Sequence, residues 1–365
     1  MKKKWRIQCM TGKQIIAGIV TILSLILFLG ITIWSQAKIN KLPDQQAARR
    51  WDGSGNAAQV SCYFAENVEV DEFMIMSFRQ QFTGQLMEVL PQEQTVEKNG
   101  RRLFLDAYSS MGTITVTSET GQLADVKAVG IGGDFFYFHP LQLLSGQYFS
   151  GDDLMKDSVI IDEEAAWQLF GSNDIAGKSV MIGEVPHYIA GVIKRPEGKF
   201  AESAGLNKTV VYVSHETLTA YGNGNGICNY EIVSPNPVKG FVSTAVKEKL
   251  GIQEEDMIVV ENSSRYNISS MIPVILDFGT RSMQNTAVKF PYWENIGRGW
   301  EDIMAIVVLL QGFFLLIPAV IVVGSVWLYF KRKTWTWKDV LNFITAKAEV
   351  FFSYMRERRK SKADE

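Results

Sequence analysis

The side chains able to do chemistry in this sequence are few, and their spacing gathers none of them. His139, His187 and His215 stand far apart, and no His-x-x-x-His or Cys-x-x-Cys spacing occurs to bring metal ligands onto one face. Asp152-Asp153 and Glu163-Glu164 are adjacent acids. Sequence neighbours do not face one another on a helix, so these read as a turn and a helix start, not as a general acid–base pair. No Gly-x-x-x-x-Gly-Lys-Ser/Thr loop is present to cradle phosphates, and no Gly-x-Ser-x-Gly elbow to expose a nucleophilic serine. Gly130-Ile131-Gly132-Gly133 lacks the further glycine of a dinucleotide-binding turn and reads as a strand-end bulge. Gly222-Asn223-Gly224-Asn225-Gly226 reads as a flexible loop. The expectation is a protein that is not an enzyme and carries no cofactor or metal.

Cysteine chemistry remains. Cys9 lies in the basic N-terminal segment, whereas Cys62 and Cys228 fall in the long middle segment. If that segment faces an oxidising compartment, the two could form a disulfide, or stay two separate buried thiols; their number does not choose.

The elements that hold these residues are set by where the apolar residues sit. The chain is 47% hydrophobic and 21% charged, ordinary for a globular protein, but two stretches depart from that average. Ile15 to Trp34 and Ile303 to Phe330 contain no charged residue. About 20 apolar helical residues cross a bilayer core, so each can span it. Neither contains an internal Asp, Glu, Lys, Arg or His to mark an ion path. The predicted organisation is therefore residues 1–14, a first span at 15–34, a folded domain at 35–302, a second span at 303–330, and a tail at 331–365.

Orientation follows from charge. Residues 1–14 carry Lys2, Lys3, Lys4, Arg6 and Lys13 and no acid, and the tail carries ten Lys or Arg against five Asp or Glu. The middle holds 22 bases and 34 acids. Basic flanks stay cytoplasmic, so both termini are expected inside a cell membrane crossed twice, with the acidic domain outside. That acidity also excludes nucleic acid as a partner. The small residues of Ser35-Gln36-Ala37 leave open a cleaved first span, although its apolar run exceeds a usual signal peptide's core.

Within the domain the expected class is α+β, mostly antiparallel. Residues 35–57 read as a tether with some helix, 59–64 as a strand, and 71–90 as a helix with Phe78, Phe82 and Leu86 aligned. Strands are expected at 102–108, 113–117, 126–129, 158–161, 179–182, 187–193, 209–213 and 230–233, with helices at 163–170 and 238–250. Tyr292, Trp293 and Trp300 read as an aromatic belt just outside the second span. Pro318 sits within that span, where a missing hydrogen bond makes it a hinge candidate. In the tail, Trp337, Leu341, Ile344, Phe351 and Phe352 recur at helical steps among basic residues. That is the pattern of a helix resting on the lipid bilayer or docking a partner.

One stretch resembles a known family. Ser145-Gly146-Gln147-Tyr148-Phe149, Asp152-Asp153 and Ser158-Val159-Ile160-Ile161-Asp162 are followed by Glu164-Ala165-Ala166-Trp167-Gln168-Leu169-Phe170-Gly171. Ile175-Ala176-Gly177-Lys178-Ser179-Val180-Met181-Ile182 and Tyr188-Ile189-Ala190-Gly191-Val192-Ile193 complete the order. This run is similar to the extracytoplasmic core of MacB-type, FtsX-like ABC transporter permeases. The resemblance implies an MacB-like core inserted between two transmembrane helices, and no catalytic residue transfers, because the matching positions are structural. It also implies partners: a separate ABC ATPase subunit and a four-span MacB-type permease. Those relatives have four spans, where this sequence shows two. The expectation is thus a non-catalytic permease-like or accessory subunit of an ABC export system; the alternative is a membrane-anchored binding or sensing module without an ATPase.

Overall fold

The computed structural model describes residues 12–90, 102–278, 288–332, 341–342 and 344–349. The chain divides into two compact units, one of residues 32–309 and one formed by the remainder.

The second unit contains most of two long apolar helices, α1 (Gly12–Ile39) and α9 (Tyr292–Arg332), both long and apolar enough to cross a membrane. Pro318 lies inside α9, and the helix continues through it. Proline has no N–H to offer the carbonyl four residues back, here that of Phe314. Ser24 of α1 donates its hydroxyl to that carbonyl at 2.5 Å, and is itself buried. The proline's orphaned acceptor is thus satisfied from the neighbouring span, as apolar surroundings require. The hinge candidate is at the same time a point where the two spans are joined.

In residues 32–309 one large sheet runs in the order β10-β1-β9-β2-β3-β8-β5-β7-β4. Its strands are β1 (Ala57–Phe64), β2 (Leu105–Thr117), β3 (Gln122–Gly133), β4 (Leu143–Gly146), β5 (Ser158–Asp162), β7 (Val185–Ile193), β8 (Val210–Ser214), β9 (Asn223–Pro235) and β10 (Met257–Glu261), with β6 (Ser179–Ile182) attached to β7 and β2. Pairing is antiparallel except for β3 with β8 and β5 with β7. This is the expected class.

Period-two alternation sends successive side chains to opposite faces. On one face α3 (Glu72–Val89) and α7 (Phe241–Lys249) cover β1 and β9, burying Phe78, Phe82, Cys62, Tyr230 and Val246. Further along, α5 (Glu163–Phe170) and α6 (His215–Tyr221) join a core containing Val159, Ile161, Leu169, Val211 and Leu218. Asp162 caps α5 by accepting from the Ala165 N–H at 2.8 Å, and Gly171 ends it at φ +64°, a left-handed conformation that glycine adopts without strain. The opposite face packs Ile160, Tyr212 and Val233 against α4 (Phe135–Phe138) and Trp293.

Four local expectations change. Gly130 to Gly133 end β3 as expected but form no bulge, because they pair in regular register with Ala107 to Ser110 of β2. A Cβ at Gly132 would come within 2.0 Å of the Tyr108 ring on β2, so the missing side chain makes room for a tyrosine. The glycine-rich stretch at 223–226 is the start of β9, paired with β2, rather than a loop. Residues 35–57 contain the expected helix, α2 (Ala47–Trp51), but are packed on the domain and not a loose tether, with Gln45, Ala47 and Ala48 buried. Finally, α9 starts at Tyr292, well before the apolar run, and Trp293 is 1% exposed among Phe135, His139 and Tyr292 instead of lying in an interfacial belt.

Candidate functional site

Strand β1 shows why the first and last segments of the domain matter. All eight of its residues are buried, although the sequence Ala-Ala-Gln-Val-Ser-Cys-Tyr-Phe alternates polar and apolar positions. Ala58, Val60, Cys62 and Phe64 face the core beneath α3 and α7. Gln59, Ser61 and Tyr63 lie at the alternate positions and are buried by the segment entering the domain, the turn at 262–265 and the start of α9. A buried polar group must find a partner or destabilise the fold by several kcal/mol, on the order of 1–3.

The partners form one continuous network. Arg265 grips Glu294 of α9 with two parallel bonds of 2.7 Å and donates its Nε to Glu301 at 2.6 Å. Glu294 also accepts from the Tyr63 hydroxyl at 3.1 Å. Arg265 Nη1 donates to the side chain of Asn262, whose amide donates to Ser61 Oγ at 2.7 Å; Ser61 donates to Glu231 of β9 at 2.6 Å. The other oxygen of Glu231 meets His139 Nε2, and His139 Nδ1 meets Asp44 at 2.9 Å. Asp44 precedes α2, and Gln59 ties the same segment down by accepting from the Ala47 N–H at 2.8 Å. The chain's entry into the domain and the first turns of its exit helix are thereby linked across β1 and β9.

Electrostatics favour the charged forms of the two bases, whereas burial raises the pKa of Glu294 against the pull of Arg265. Burial alone would lower the His139 pKa, but the charge of Glu231 and the hydrogen bonds the ring donates to Asp44 and Glu231 prevail and raise it to about 9. The imidazolium also lies against Trp293, with ring centroids 4.2 Å apart, and Phe135 at 4.7 Å, which favours a cation. For Arg265 burial again opposes the charge, and the carboxylates of Glu294 and Glu301 outweigh it, holding the guanidinium charged. Each of these charged side chains is met by another of opposite sign. The arrangement fixes the geometry of the segments it joins. Among the described residues no group of three or more His, Cys, Asp or Glu is placed to hold a metal ion.

The residues singled out from sequence lie elsewhere. Cys62 and Cys228 are free thiols here. Cys62 faces Met257, with 3.7 Å between sulfurs, while Cys228 donates to the Ser109 carbonyl at 3.4 Å; burial pushes both thiols up, that of Cys228 to about 12. Leu341 and Ile344 are helical and exposed. Trp337, Phe351 and Phe352 lie outside the described residues. The network itself was missed, although it left a signal. Glu294 and Glu301 are seven residues apart, two turns on one face of a helix otherwise turning apolar, and Glu231 interrupts the apolar run of β9.

Comparison with known proteins places the chain. The family described as the MacB-like periplasmic core domain matches residues 15–247. The macrolide export ATP-binding/permease protein MacB of Chromobacterium violaceum is 33% identical over 117 residues, covering 29% of this chain and 18% of that protein. The protein of the same name from Agrobacterium fabrum is 27% identical over 161 residues, 41% of this chain and 24% of that one. The aligned part thus spans about a fifth of the length of these relatives. Among solved structures, the periplasmic region of MacB from Actinobacillus actinomycetemcomitans aligns with a TM-score of 0.37 and 14% identity, covering 63% of this chain and 97% of that one. The extracellular domain of the noncanonic ABC-type transporter YknZ from Gram-positive bacteria gives 0.34 and 18%, covering 55% of this chain and 99% of that one. With well over half of its residues matched by the family as a whole, and with candidate spans on both sides of the folded domain, this chain belongs to the MacB-like permease family.

Proposed function

We propose that the chain is a non-catalytic, permease-like or accessory subunit of a MacB-type ABC export system. Its spans, at 15–34 and 303–330, bracket a domain outside the cytoplasm, with both termini inside. The observation that carries this reading is the network joining Asp44, His139, Glu231, Arg265, Glu294 and Glu301. A domain whose entry segment and exit helix are both fastened to its sheet moves with that helix, which is what a subunit coupled to a cytoplasmic ATPase needs. ATP would be bound by a separate ABC ATPase, and a four-span permease would complete the assembly. The tail segment containing Trp337, Leu341, Ile344, Phe351 and Phe352 is the proposed docking element. Docking into a protein groove depends on fitted side chains, whereas lipid contact depends on area and charge.

Mild-detergent purification of the full chain should recover an ABC ATPase and a larger permease by mass spectrometry. Replacing Phe351 and Phe352 together by leucine should reduce that recovery severalfold while the chain stays in the membrane. Recovery of the chain alone would favour the second reading, a membrane-anchored sensing module. That reading draws on an apolar cavity of about 490 Å³ bounded by Phe64, Met111, Ile227, Phe290 and Tyr292. Orientation is tested separately. A cysteine in place of Leu154, which is 94% exposed, should react with an impermeant thiol reagent in intact cells, and one in place of Lys360 should not. The reverse pattern would overturn the topology.

A further inference from the structure

A second cavity, of about 690 Å³, opens where α1 ends and α9 begins. Trp34 and Lys38 from the last turns of α1, then Lys41, form one side. Ile296, Trp300 and Ile303 of α9 form another, and the segment 194–201 closes it. Phe200 seats that segment on the helix: its ring lies where a Cβ on Gly299 would be 2.9 Å away, and it meets Trp300 edge-on at 5.9 Å.

The charges of this groove do not balance. Lys194 is paired with Glu197 at 3.0 Å, Arg195 with Asp162 at 3.0 Å, and Asp44 with His139 at 2.9 Å, so the neighbouring acids are engaged. Lys38, Lys41 and Lys199 have no carboxylate partner among the described residues. Lys38 and Lys199 instead lie over the rings of Trp34 at 5.9 Å and Phe200 at 5.7 Å. The surrounding domain has acids in excess, so three unpaired lysines in one groove are not a consequence of composition. Tryptophans at span ends sit at headgroup depth, and lysine stems reach along apolar surface to place their ammonium groups at a phosphate.

We propose that this groove binds the phosphate headgroup of an anionic phospholipid from the leaflet facing the domain. The lysines would contact the phosphate while Trp34, Trp300 and Ile303 lie along the first methylenes. The inference needs only that the two spans cross a bilayer; it stands whether or not an ATPase binds.

Native mass spectrometry of the full chain released from nanodiscs of mixed phosphatidylglycerol and phosphatidylcholine tests it. Phosphatidylglycerol should be retained in preference to phosphatidylcholine. Affinity should drop about fivefold for each lysine removed and on the order of a hundredfold in Lys38→Gln/Lys41→Gln/Lys199→Gln. Lys178→Gln/Lys208→Gln/Lys249→Gln, the same charge change away from the groove, should retain the lipid. If the triple groove variant does not fold, Lys199→Gln alone, on an exposed segment, should still show its fivefold loss. Equal retention of both lipids, equal loss in the control variant, or displacement of the lipid by inorganic phosphate at matched concentration would each overturn the proposal, the last by revealing a free-anion site.

Discussion

Replacing Arg265 by methionine is expected to lower the unfolding free energy by about 3–5 kcal/mol, the usual cost of removing one partner from a buried ion pair. The side chains of Arg265 and Glu294 are 2% and 1% exposed, and that of Glu301 is 11% exposed. Without the guanidinium, a fully buried carboxylate and a largely buried one remain without their cation. Arg265→Lys should fall between the two: the charge is kept, but the planar fork that holds both oxygens of Glu294 is lost. The triple variant Arg265→Met/Glu294→Gln/Glu301→Gln should recover much of the loss, because it removes the buried charges together. Denaturant unfolding of the full chain in detergent, followed by circular dichroism, measures all three. A loss below about 1 kcal/mol in Arg265→Met, typical of an exposed pair, would show that the network does not hold the domain to α9.

The domain should also lose on the order of 3 kcal/mol of stability as pH rises from about 6.5 to 9, and His139→Gln should abolish most of that change. Folding raises the His139 pKa from 6.5 to about 9, so the folded state binds this proton more tightly than the unfolded chain does. The contribution is complete below the unfolded value and disappears as pH climbs through the folded one. Above that, a neutral imidazole sits between Asp44 and Glu231, and the attraction that offset their burial is gone. At low pH the glutamine variant should be less stable than the parent by a similar amount; at high pH the two should converge. Parallel unfolding curves at several pH values test this, and a parent protein with flat stability across the window would refute it.

Glu294 and Glu301 show the limit of reading such a site in one dimension. Their spacing marks one helix face, but their partner, Arg265, is 29 and 36 positions away. It lies in a stretch with no clear pattern of its own. Ser61 and Glu231 are separated by 170 positions, and His139 and Asp44 by 95. No periodicity links residues across such distances; only the strand order β10-β1-β9 and the packing of α9 against that sheet do.

The sequence alone determined what local chemistry determines. Two uncharged runs long enough for a bilayer, the helix at 72–89 with its aligned Phe78, Phe82 and Leu86, the capped helix at 163–170 and the family motif around it all rest on nearest-neighbour patterns. Tertiary structure decided which polar residues are inside. Gln59, Ser61 and Tyr63 alternate as an exposed strand face would, yet are buried because the entering segment covers Gln59, the turn at 262–265 covers Ser61, and α9, which extends back to Tyr292, reaches Tyr63. Glycines at 130–133 and 223–226 read as breaks but belong to strands: Gly132 and Gly133 make room for the Tyr108 ring and the Asp106 carbonyl of β2, and residues 223–224 pair with that same strand, all of which come from another part of the chain. A pattern in sequence reports a residue's own preference for water, and whether water can reach it is set by elements that arrive from far along the chain.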